Sequence, residues 1–173
     1  IWLTLASILS WLINLDFGLG NGLRNKLAEA LALNDLKLAR IYVSTAYAVF
    51  SVGIFFAFVI YFTIHGLLNW ADILQAPTEY TLLLNTLVLY VIILFLVQFL
   101  LKLITSIINA DQRPALNGGL SLIINSLTLL VIYFLSIYAD PSLTMFALVS
   151  SGIPVSVFLI ASLFLFGGQF RNI

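Results

Sequence analysis

Lys102 stands inside apolar sequence, with Gln98, Thr105, Ser106 and Asn109 around it at helical spacing. At about 100° per residue these five share one face. An ammonium among amides and hydroxyls is suited to holding an anion through charge-assisted hydrogen bonds. A second row, Ser7, Asn14, Gly18, Asn21, Gly22, Asn25 and Glu29, shares a face if the chain stays helical through its glycines. Asn117, Ser121, Asn125 and Thr128 form a third row, and Ser44, Tyr47, Ser51, Tyr61 and His65 a fourth. Asp16 falls on the face opposite the asparagines, where a carboxylate either exchanges a proton or ion or pairs with a cation of a neighbouring helix.

Two readings of these rows stand side by side. Small and weakly polar residues let membrane helices approach and hydrogen-bond across, and Gly18, Gly20, Gly22 and the Gly118-Gly119 pair suit that role. Alternatively the rows line a shared hydrophilic cavity, because polar side chains facing lipid cost free energy. The candidate lining residues are then Asn14, Asn21, Arg24, Asn25, Gln98, Lys102 and Asn125, with Asp16 the candidate ion-coupling group. Lys102 either faces that cavity or snorkels toward the headgroups. His65 reads as an interfacial side chain or a proton relay. Arg24 and Lys26 read as topology and headgroup contacts or as guides for a phosphate.

The remaining chemistry is sparse. Without cysteine there is no thiol nucleophile, disulfide or Cys-ligated metal, and the one His and seven acids lack metal-ligand spacing. No G-x-S-x-G, H-E-x-x-H or phosphate-cradling loop occurs, and the glycines after Asp16 lie in apolar helical sequence rather than after a strand. Asp72 and Glu79 have no partner base nearby in sequence. The reading is neither an enzyme nor a cofactor protein. Zero net charge, with no basic excess, argues against nucleic acid as a partner.

The elements that must position these groups are membrane helices. Of the 173 residues, 62% are hydrophobic and 8% charged, and mean hydropathy is +1.15. Soluble domains carry about 25% charged residues. The expectation is an all-α, multi-pass transmembrane bundle forming a single membrane domain over 1–173. Its spans fall at about 1–23 (continuing as a cytoplasmic helix to about 33), 41–68, 80–109, 114–138 and 142–167. The apolar runs are too long and unbroken for barrel strands. Asn34-Asp35 reads as a break with Asp35 capping the next helix, Pro114 and Pro141 as first-turn prolines, Asp140 as an N-cap and Pro154 as a kink. Trp70 and Tyr80 flank the loop over residues 72–79 as interface anchors.

The basic residues Arg24, Lys26, Lys37, Arg40, Lys102, Arg113 and Arg171 all fall on or toward one side, whereas the opposite loops hold only Asp72, Glu79 and Asp140. The positive-inside rule makes residues about 24–40, 110–113 and 168–173 cytoplasmic. The first segment lacks the basic start and small-residue cleavage site of a signal peptide. Starting at Ile1 within apolar sequence, the chain reads as part of a longer protein with at least one helix upstream.

One stretch is more specific. Leu15-Asp16-Phe17-Gly18-Leu19-Gly20-Asn21-Gly22-Leu23-Arg24-Asn25-Lys26-Leu27-Ala28-Glu29-Ala30 is followed by Asn34-Asp35 and by Tyr42-Val43-Ser44-Thr45-Ala46-Tyr47. It resembles the second and third membrane helices of oligosaccharide flippases, the Wzx-type polysaccharide biosynthesis proteins of the multidrug/oligosaccharidyl-lipid/polysaccharide exporter superfamily. Residues Asn109 to Leu116 resemble the link between that family's fourth and fifth helices.

The resemblance implies that the five spans are helices two to six of a first six-helix lobe. It implies a central cavity opening alternately to each side of a bacterial cytoplasmic membrane. The cargo would be an undecaprenyl-pyrophosphate-linked oligosaccharide, moved from inner to outer leaflet and coupled to an ion gradient. The implied partners are this lipid-linked sugar, membrane lipids, the remainder of the chain (helix one and a second lobe) and the polysaccharide assembly machinery. A drug or cation antiporter of the same superfamily would want an acidic cavity where this sequence has a lysine. A non-transporting scaffold subunit would bury the polar rows dry between helices.

Overall fold

A computed structural model describes residues 19–138, 142–168 and 170. The expectations for Asn14, Asp16, Gly18, Asp140, Pro141, Arg171 and most of the first span lie outside the described residues. The described residues form helices joined by short turns, with no strand among them. The helices are α1 (Leu19–Ala32), α2 (Leu36–His65), α3 (Trp70–Ile73), α4 (Thr81–Leu101), α5 (Leu103–Ala110), α6 (Pro114–Tyr138) and α7 (Leu143–Gly167), with a 3₁₀ turn at Thr78–Tyr80 before α4. Four stretches, Leu36–His65, Thr78–Ala110, Pro114–Tyr138 and Leu143–Gly167, are long and apolar enough to cross a bilayer, which marks the chain as membrane-embedded.

The helix junctions follow from local hydrogen bonding. α1 ends where Asn34 takes the left-handed conformation (φ 55°). The Asp35 N–H then reaches the Ala30 carbonyl at 3.0 Å and the Asn34 N–H that of Leu31 at 3.0 Å. This pair of bonds satisfies carbonyls that the helix end leaves open. Asp35 then caps α2 by accepting from the Leu38 N–H at 3.0 Å. The same closure recurs at Gln112 (φ 56°), with Arg113 N–H on Ile108 and Gln112 N–H on Asn109, each 3.2 Å. Pro114 opens α6 directly afterwards, where a missing N–H costs nothing. Gln75 (φ 52°) closes α3 in like manner.

Helix edges depart modestly from the sequence-based spans. The second span begins at Leu36 rather than 41, because the Asp35 cap starts the helix in its polar first turn. The third is interrupted at Lys102. There the Lys102 N–H bonds Gln98 at 2.8 Å, and the Lys102 carbonyl accepts from both the Thr105 N–H at 2.9 Å and its hydroxyl at 2.8 Å. That three-residue turn separates α4 from α5. α7 continues as a helix through Pro154.

α4 packs along α7, α7 along α6, and α2 against α4, while α1 folds back over α2 and rests on α5. α1 buries Leu23, Leu27 and Ala30 and leaves Arg24, Asn25 and Lys26 outside. Lys26 pairs with exposed Glu29 at 3.0 Å, and that hydrogen bond raises the ammonium above its usual pKa. One core gathers Leu23, Leu27, Val43, Phe50, Ile104, Ile107 and Phe158 at the basic end. A second, at the acidic end, gathers Ala71, Leu84, Leu87, Val88, Val91 and Ala147. α6 buries no residue.

Candidate functional site

The break at Lys102 sits where α1 crosses α5. Gly20 and Asn21 from α1, Phe50 from α2, Phe99 from α4, and Lys102, Leu103, Thr105, Ser106 and Asn109 enclose a cleft of about 150 Å³. Its polar wall is the Lys102 row of α5 together with Asn21. Its apolar wall is the Phe50–Phe99 pair, with ring centroids 5.5 Å apart, and Phe95 stacks on Phe99 at 6.2 Å. Ile104, Ile107 and Ile108 on the other face of α5 are fully buried, so packing against α1 fixes which way the polar row looks.

Lys102 is half-buried, and its ammonium has no carboxylate partner among the described residues. An unpaired cation in a membrane span is costly, so it favours water or an anion beside it. It lies eight residues before the end of α5 at Ala110, about 12 Å along the axis. Thr105 returns its hydroxyl to the backbone, whereas Asn109 accepts a 3.4 Å hydrogen bond from the Asn117 amide on α6. Through that contact the rows of α5 and α6 meet. Chemically, the cleft offers one ammonium, amide and hydroxyl groups, and an aromatic face.

The sequence-predicted residues divide. Asn21 and Lys102 line the cleft together. Gln98 is half-buried one turn from Lys102 but outside the lining, because Phe99 takes that place on the wall. Arg24 and Asn25 are exposed on the outer side of α1, and Asn125 is exposed on α6, eight residues from Asn117. Asn14 and Asp16 lie outside the described residues.

The row on α2 does not enter the cleft. Tyr47 turns toward α7, edge-on to Phe166 at 6.1 Å, and its hydroxyl and that of Ser162 are buried without a hydrogen-bond partner among the described residues. Tyr61 and His65 join each other at 3.0 Å at the far end of the same helix. Phe50, buried on α2, is what reaches the cleft, and polar periodicity could not find it. The glycines also differ from expectation. A Cβ at Gly22, Gly118 or Gly119 would meet nothing within 4 Å, so these three do not serve close helix contact.

No group of three or more His, Asp or Glu residues comes together as a metal site among the described residues. Comparisons with protein-family models, curated proteins and solved structures return no match.

Proposed function

We propose that this chain forms part of a membrane transporter that flips a lipid-linked oligosaccharide from the inner to the outer leaflet of a bacterial cytoplasmic membrane by alternating access. The observation that carries the reading is Lys102, without a carboxylate partner among the described residues, on a polar cleft that also presents Asn21, Asn109 and the Phe50–Phe99 pair. A pyrophosphate headgroup requires a cation and hydrogen-bond donors, which Lys102 and the amides supply. The hydrophobic faces of sugar rings require apolar, aromatic surface, which Phe50 and Phe99 supply. The lipid tail stays in the bilayer. The resemblance of residues 15–30 to Wzx-type flippases leads to the same cargo. In this reading the basic end faces the cytoplasm, and the cleft is where the headgroup is first held. Transport further requires that the cargo bind the inward-open and outward-open states with different strength.

The test is charge removal and restoration at Lys102 in the intact gene. With Lys102→Ala, surface polysaccharide falls at least about tenfold, the effect of losing one charged hydrogen bond to the cargo, at unchanged protein level and membrane insertion. Lys102→Arg retains most of the export. Normal polysaccharide in the Ala variant overturns the reading and leaves Lys102 a snorkelling side chain.

A further inference from the structure

On the other side of Phe50 from the cleft, α1 and α2 leave an open groove of about 220 Å³. Gly22, Leu23, Ala46, Val49 and Phe50 give it an apolar floor, and Lys26 and Tyr42 stand at its rim toward the basic end. Gly22 keeps the groove open: nothing lies within 4 Å of where its Cβ would be. Lys26 is the one cation lining the groove, and no carboxylate lines it among the described residues. Lys26 already holds Glu29, but both side chains are about 60% exposed (62% and 60%), so water or a stronger anion competes freely for that ammonium.

We propose that this groove holds one anionic phospholipid of the inner leaflet. An acyl chain lies over Gly22, Ala46 and Val49, and its phosphate sits between Lys26 and Tyr42. The occupant is a lipid and not a protein helix because a helix is about 10–12 Å across, too wide for a groove of this volume. The charge at the rim selects the headgroup, since basic residues at a membrane surface attract anionic lipids. The apolar floor gives no preference among lipids, because any acyl chain covers it equally well. The inference needs the basic end to face the anionic leaflet but does not depend on transport or on Lys102. A lipid seated there would brace α1 against α2, the two helices that hold Asn21 and Phe50 in the cleft.

The full chain in nanodiscs of mixed phosphatidylglycerol and phosphatidylcholine tests this by native mass spectrometry of retained lipid. The expected result is one phosphatidylglycerol held per chain in preference to phosphatidylcholine. Lys26→Gln lowers that preference about fivefold, the effect of one cation at an anionic surface, and still retains a lipid. Gly22→Leu fills the groove and lowers retention of both lipids. If the Gly22 variant is poorly folded, Val49→Trp closes the groove from α2. Unchanged retention in the filled variants overturns the proposal. So does an equal loss of preference in Lys37→Gln and Lys26→Gln, which would reveal diffuse surface attraction instead of a site.

Discussion

At the basic end, α1 lies across α2 and α5, and its leucines meet the isoleucines of α5 around Leu27, Ile104 and Ile107. At the acidic end no long helix crosses among the described residues. Short α3 instead tucks Ala71 and Leu74 onto α4 beside Leu84, Leu87 and Val88. The Trp70 N–H is held by the Asn85 side chain at 3.2 Å, and Asn69 caps α3 while donating to Asp72 at 2.7 Å. The basic end therefore combines a large core with a polar cleft on its flank, whereas the acidic end combines a smaller core, held by turn hydrogen bonds, with an apolar opening between α6 and α7. Packing is the prerequisite for chemistry here. A membrane span presents a lysine to one side only if its opposite face is locked by close van der Waals contact, the main attraction between helices in lipid.

Water access breaks or sharpens this contrast most directly, and the absence of native cysteine leaves a clean background. Thr105→Cys, Ser106→Cys and Asn109→Cys are expected to react with a membrane-impermeant thiol reagent, and Leu84→Cys, Val88→Cys and Ile107→Cys to stay silent. Equal labelling of both sets would erase the difference between the ends. A dry Thr105 row would make the cleft a helix contact.

Core truncation comes next. Ile104→Ala and Leu84→Ala each remove a fully buried side chain, and each is expected to lower stability by about 2–5 kcal/mol on the scale of large-to-small core changes. Only Ile104→Ala should also change labelling at Thr105, because it loosens the helix that carries it. Thermal unfolding in detergent together with the thiol assay separates the two effects.

Asn85→Ala leaves the partly buried Trp70 N–H without its acceptor, a loss of about 1–3 kcal/mol. Hydrogen exchange should quicken over residues 69–76 and leave the basic end unchanged.

The smallest effect is at the turns. Gln75→Gly and Gln112→Gly relieve a side chain at positive φ and should gain under about 1 kcal/mol each, since glycine's extra unfolded-state freedom offsets part of the relief. A loss of stability in either variant would mean that the glutamine side chain contributes more than its backbone strain costs.

The turns also show how far local sequence reaches. Asn34-Asp35 announces its break because asparagine tolerates the left-handed conformation and aspartate caps helices, and Pro114 announces the start of α6. Gln75 and Gln112 carry no such signal. They occupy left-handed positions because the helices on either side must stop and turn there. The interruption at Lys102 is equally silent, since nothing between Leu101 and Leu103 disfavours a helix. Likewise the face shared by Lys102, Thr105, Ser106 and Asn109 is visible as spacing, whereas Phe50 and Phe99, which complete the cleft, read as two among many apolar residues.

The sequence by itself determined that this is a multi-span helical membrane protein, where its polar rows fall and that its basic residues gather at one end. Those properties depend on composition and on a helical period of 3.6, which any single helix expresses alone. Only the tertiary structure decided which rows meet. Asn21 joins Lys102 because α1 folds back over α5, Tyr47 turns to α7 instead, and Asn125 stays on the open face of α6. A helix fixes the angle between its own side chains. Which neighbour those side chains face depends on how distant segments pack.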